Sequence, residues 1–259
     1  MLRPYQATAL ALASVICFSL PSPAQSAKLE QKRSGPLSFS ASLPGKAKNF
    51  VEQNLISVNQ LRAPRKAINL LVKADEYLRR NDLQKAKDLA SRALDVYPEY
   101  AQALTLRGTV ELQNKDFDRA TDDVQHAIDQ DPHSATAYFV MAAIFNSQSR
   151  YREAALESDR ALAIAPGAWQ GYFEASRAAL GLGDFANALR YGTQASSLCP
   201  DFYPTRVVLA ESYLGLKHYS QAAEAFRAYL KIDPNSDTAA RVRTVLARVP
   251  ATALADNAK

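Results

Sequence analysis

Five prolines, Pro98, Pro132, Pro166, Pro200 and Pro234, stand 34 residues apart without a slip. The residue before a proline is pushed out of helical geometry, so a strict proline period sets where helices must end. Other columns keep the same register. Twelve residues before each proline is an alanine: Ala86, Ala120, Ala154, Ala188 and Ala222. Twenty-four before it is a small residue: Ala74, Gly108, Ala142, Ser176 and Ala210. Fifteen before it the chain carries Phe117, Tyr151, Phe185 and Tyr219, with Leu83 in the first copy. Five before it are Ala93, Ala127, Ala161 and Ala195, until Tyr229 breaks the column. A chain with this period is a stack of small helical units, each burying its apolar face against its neighbours.

Within a unit the spacing predicts two helices. In the fourth, Tyr172, Ala175, Ser176 and Ala179 recur at three and four residues and share one helix face. Gly183-Asp184 breaks that helix, and Phe185 opens a second carrying Ala188, Leu189 and Ala195. In the first unit the pattern predicts helices over 68–80 and 83–96, with Pro64 suited to the first turn. One more helix is expected over 237–248, stopped by Val249-Pro250 and lacking a second-helix partner.

These columns resemble the tetratricopeptide repeat family. The five units run 67–100, 101–134, 135–168, 169–202 and 203–236. The resemblance implies an all-α solenoid, a right-handed superhelix of five helix-turn-helix units closed by a capping helix at 237–249, within a repeat domain spanning 64–249. It implies a concave face lined by the first helix of each pair, and no particular reaction or partner.

Residues 1–27 read as a secretory signal peptide. Arg3 precedes a mostly apolar run over 7–20, and 21–27 is small and polar, with cleavage expected after Ala24 or Ser26. The protein is therefore expected in the periplasm or outside the cell. Residues 28–63 are rich in Ser, Gly, Pro, Lys and Arg and read as a linker, whose apolar part over 50–63 is equally a cap on the first repeat or a tether. Residues 250–259 form a tail.

The net charge of +5 hides an asymmetry. Segment 28–66 carries eight basic and two acidic residues, whereas from residue 67 onward 22 basic residues face 24 acidic ones. A near-neutral array lacks the basic stripe of a nucleic-acid binder. The basic segment supports an alternative reading, an accessory module tethered through 28–63 to the envelope or a wall polymer. With Cys17 inside the leader, Cys199 would stand alone, leaving an intermolecular disulfide open.

No pattern points to catalysis, a cofactor or a metal. His126, His133 and His218 fall at different places in the repeat, and no phosphate loop, HExxH or GxSxG occurs. Asp129-Gln130-Asp131 starts like a calcium loop but lacks the later ligands. Asp122-Asp123 reads as a solvated helix face, and Trp169 as packing between units.

By the resemblance, the fifth and ninth places of each first helix face the groove. They are Leu71 and Asp75, Thr105 and Thr109, Phe139 and Ala143, Phe173 and Arg177, and Val207 and Glu211. Phe139 and Phe173 are expected as exposed anchors for a partner peptide or helix, with inward packing of the rings as the other reading. Arg177 stands alone, which argues against a carboxylate clamp of several bases. Three departures from the repeat, Arg206, Tyr229 and Gly192, suggest altered docking around the fifth unit and a soft joint at Gly192.

Overall fold

The computed structural model describes residues 62–249, and among them are eleven α-helices and no strand. The leader, the basic segment as far as residue 61 and the tail from 250 lie outside the described residues. The helices pair in chain order. They are α1 (Arg65–Arg79) with α2 (Leu83–Val96), α3 (Ala101–Gln113) with α4 (Phe117–Gln130), α5 (Ala135–Ser147) with α6 (Tyr151–Ile164), α7 (Trp169–Gly181) with α8 (Phe185–Leu198), and α9 (Thr205–Gly215) with α10 (Tyr219–Ile232). A last helix, α11 (Asp237–Leu246), follows. Each first helix packs on its partner and on the first helices of adjacent units, and each second helix packs on the next first helix. This is a solenoid of stacked helix pairs.

The turn inside each pair is built the same way five times. Asn81, Lys115, Ser149, Gly183 and Lys217 all adopt the left-handed conformation, with φ from 60° to 79°. In the first turn Asn81 N–H donates to the Leu78 carbonyl and Asp82 N–H to the Tyr77 carbonyl, both at 2.9 Å. That is the Schellman closure, which satisfies carbonyls a helix end would otherwise orphan. Asp82, Asp116 and Asp184 then cap the second helices by accepting from the backbone of Lys85, Arg119 and Asn187. Only Gly183 meets the left-handed requirement without steric cost. Gly183→Ala should therefore lower stability by about 1 kcal/mol, and Ser149→Gly should raise it by about 0.5 kcal/mol. Urea midpoints of the two variants check the pair; equal midpoints would contradict it.

The small columns lie where paired helices approach most closely. Ala86, Ala120, Ala154, Ala188 and Ala222 are fully buried, as are Ala74, Ala142, Ser176 and Ala210. At Gly108 a Cβ would stand 2.6 Å from Val124 Cγ2 and 3.1 Å from the Ala120 carbonyl oxygen, so only glycine fits between α3 and α4. Gly192 has a similar explanation. A Cβ there would meet Leu209 Cδ2 at 3.0 Å, so the glycine lets α8 and α9 close on each other.

The fifth unit departs from the plan. Its first helix begins at Thr205, two residues late, through i→i−3 bonds from Thr205, Arg206 and Val207 to Phe202, Tyr203 and Pro204. Phe202 is buried, its ring 4.4 Å from that of Trp169 and edge-on to Phe173 at 4.9 Å. Trp169 thus packs at the junction between units, and Cys199 packs against the same cluster as a free thiol. Tyr229, in the column of alanines, is buried against Tyr203 and bonds Asp233 Oδ2 at 2.9 Å and Ser236 Oγ at 3.1 Å.

Ser236 also caps α11, accepting from the Ala239 backbone at 3.1 Å. Ala239 and Val242 close over Phe226 and Tyr229, covering the end of the array. The helix ends two residues before the expected 248, where Arg248 and Val249 turn to i→i−3 bonds.

Candidate partner-binding groove

The ten residues at the fifth and ninth places fall into two groups. Toward the N-terminal end they are largely buried and internally committed. Leu71 is buried, and buried Asp75 accepts from Arg79 at 2.7 Å. Thr105 and Thr109 turn their hydroxyls back onto the carbonyls of Ala101 and Thr105, each at 2.8 Å. Ala143 is fully buried.

The two rings expected as exposed anchors are not exposed. Phe139 is 4% exposed and Phe173 2% exposed. Phe173 sits with Phe202, Ala195 and Val208 in the core between the fourth and fifth units. Phe202, the last residue of the fourth unit, turns inward against it. Burial of an aromatic ring is worth more than its exposure, and neighbouring first helices pack along α5 and α7.

The remaining residues meet around one cleft. Phe173, Arg177, Val207 and Glu211 all line a hollow of about 140 Å³ between α7, α9 and α11. Leu180, Tyr203 and Val242 complete its apolar walls, and Asp233 and Arg241 also line it. Phe139 does not reach it.

A polar cluster adjoins the cleft. Arg177 Nη1 donates to Glu174 Oε2 at 2.7 Å, its side chain only 10% exposed and that of Glu174 fully buried. Asn146 Nδ2, from α5, donates to the same carboxylate oxygen and to the Glu174 backbone carbonyl, each at 2.9 Å. Burial pushes the Glu174 carboxyl up, with Arg177 and Asn146 pulling the other way. Arg177 is therefore no free groove charge; it neutralises a buried acid.

Two family models, both described as tetratricopeptide repeat, match the chain, one over 71–135 and 108–168 and the other over 179–249. The chain is a tetratricopeptide repeat protein. Its fold is similar to that of TTC0263, a thermophilic repeat protein of Thermus thermophilus, at TM-score 0.60 and 19% identity, covering 73% of this chain and 98% of that one. It is similar to a chain of the APC/C hetero-tetramer Cut9–Hcn1 at TM-score 0.66 and 20% identity, covering 79% of this chain and 40% of that chain. It also resembles pilF of Pseudomonas aeruginosa at TM-score 0.56 and 17% identity, covering 74% and 96%. At these identities the likeness is one of fold. No curated protein sequence matches the chain.

The groove of this repeat protein thus differs from the sequence expectation in where its polar groups stand. Asn146 and Glu174 occupy the twelfth and sixth places, outside the columns taken as groove-facing. Reading those columns would have found them. The twelfth place is Leu78, Leu112, Leu180 and Leu214 in the other units, and the sixth is Val72, Leu106, Val140 and Val208. Asp123 differs too: rather than a solvated face, it receives a two-point ion pair from Arg107, both bonds at 2.7 Å.

Glu211 lines the cleft only partly exposed, and desolvation there pushes its carboxyl up to about 7, with Arg241 acting in the opposite direction. Its folded value exceeds the ordinary 4.5, so folding favours the neutral acid. The stability this provides is complete below 4.5 and is lost as the pH rises to about 7. Glu211→Gln should gain on the wild type across that window and run parallel to it outside. Thermal melts between pH 4 and pH 8 check this; a constant difference would place Glu211 in solvent.

Proposed function

We propose that the protein is an exported, non-catalytic scaffold that holds a segment of a partner protein in the groove of its first helices. Tetratricopeptide repeats serve as protein-binding arrays, and the cleft at the fourth and fifth units is the observation that carries the reading. It is concave, mostly apolar and lined by a few charged groups, the make-up of a site for an inserted side chain. Among the described residues, no group of three His, Cys, Asp or Glu side chains could hold a metal.

The test is to fill the cleft. Val207 is only partly buried on its wall, so Val207→Trp should abolish crosslinking to partners in the envelope fraction while the melting temperature holds. Undiminished crosslinking by a folded variant would move the binding face elsewhere. Export rests on the apolar run over 7–20 and the small residues after it. N-terminal sequencing of protein from its native host should begin between Gln25 and Lys28; an intact Met1 in the envelope fraction would refute it.

A further inference from the structure

Two buried polar side chains in the array stand where its other units carry hydrocarbon. Asn146 replaces a leucine present in four units, and Glu174 replaces Val, Leu, Val and Val. The two are 3% and 0% exposed, and they are bonded to each other between adjacent first helices. Folding gives no reason for the exchange. Replacing a buried ion pair with well-packed apolar side chains is often neutral or stabilising, and the chain already uses those apolar residues at equivalent places.

The cluster is also incomplete. Asn146 Nδ2 and Arg177 both spend their hydrogen bonds on Glu174 Oε2. Asn146 Oδ1 and Glu174 Oε1 are buried and have no partner. The amide orientation is set by its surroundings, since the reverse would turn Oδ1 onto a carboxylate and a carbonyl. Both unmatched atoms are acceptors, and an unmet buried acceptor is costly. Asn146 lines the cleft and is bonded to the Glu174 carboxylate, which does not line it.

We infer that this cleft is a socket for a basic side chain, a lysine or arginine of the bound partner segment, whose N–H groups meet the unpartnered amide oxygen of Asn146. The inference rests on the partner-binding reading of the groove and names the chemistry of one subsite. A basic side chain is an apolar stem with a donor-only charged head. Phe173, Leu180 and Val207 offer the stem apolar walls. Glu174 already answers the charge of Arg177, and Asp233 lines the cleft together with Arg241. An acidic or amide-oxygen ligand would instead set acceptor against acceptor.

The experiment is an NMR titration of the full chain, observing the methyl groups of Val207 and Val208, with n-butylguanidinium, its neutral isostere n-butylurea, and valerate. Butylguanidinium should give saturable shifts, with butylurea weaker by about tenfold, the factor that one charge-assisted hydrogen bond makes. Valerate should give none. The variant Asn146→Leu/Glu174→Val/Arg177→Ala, built from residues the chain uses in its other units, should lose the preference for guanidinium while keeping or raising its urea midpoint. Asn146→Leu alone is the single-site control should the triple variant fold poorly. Equal binding of butylurea, preference for valerate, or guanidinium binding unchanged in either variant would overturn the assignment. If no fragment reaches the cleft yet Val207→Trp abolishes partner crosslinking, the groove reading stands and the basic socket falls. If the fragments bind as expected while Val207→Trp leaves crosslinking intact, the socket stands and the groove reading falls.

Discussion

Phe173→Ala should destabilise the protein by about 3–5 kcal/mol, the cost of emptying a buried phenylalanine site. The ring is 2% exposed, meets Phe202 edge-on at 4.9 Å, and packs with Ala195 and Val208. Its removal opens a hole where the fourth unit docks on the fifth, and the backbone of two helix pairs cannot close around it. Stability in a repeat array is a sum of unit and interface terms, so the loss should fall on the C-terminal units first. Hydrogen exchange would show α9 to α11 (Thr205–Leu246) losing protection before α1 to α4 (Arg65–Gln130). An unchanged urea midpoint would return Phe173 to the groove surface, where the fifth-place column had put it.

Arg177→Leu should cost a comparable amount, about 3–5 kcal/mol, by leaving the fully buried Glu174 carboxylate without its counter-charge. The diagnostic is its relief. Burial already raises the Glu174 carboxyl, and loss of Arg177, one of the groups holding it down, raises it further. A folded value above the unfolded one means that stability is complete at acid pH and is lost as the pH rises through the folded value. The deficit of Arg177→Leu should therefore shrink on acidification. Adding Glu174→Val, the residue two other units and Val208's unit share at this place, should recover most of it at neutral pH. Denaturation of both variants and the wild type at acid and neutral pH forms the cycle. A pH-independent deficit that Glu174→Val fails to relieve would show that Arg177 acts through packing alone.

The recurrence of prolines, alanines and aromatic positions was legible in the sequence alone, and with it the helix pairs, their order and the family. These features are local or nearly so. A helix end, an aspartate cap or an alanine at a close crossing is settled by residues within one unit, and five copies in register make the pattern unmistakable. The exposure of the fifth-place rings was not legible. Phe139 and Phe173 share a column with Leu71, Thr105 and Val207, and column membership gives a direction from the helix axis, not what waits there. For Phe173 the answer was Phe202, the last residue of its own unit, buried edge-on against it. The hydrogen bond from Asn146 to Glu174 spans 28 residues, a separation that matches neither the helical period nor the 34-residue repeat. Sequence could mark each as an oddity in its own column. Only the stacking of α5 (Ala135–Ser147) on α7 (Trp169–Gly181) brought the two oddities within 2.9 Å of each other and beside the cleft, because the distance between units is set by packing and not by the order of residues along the chain.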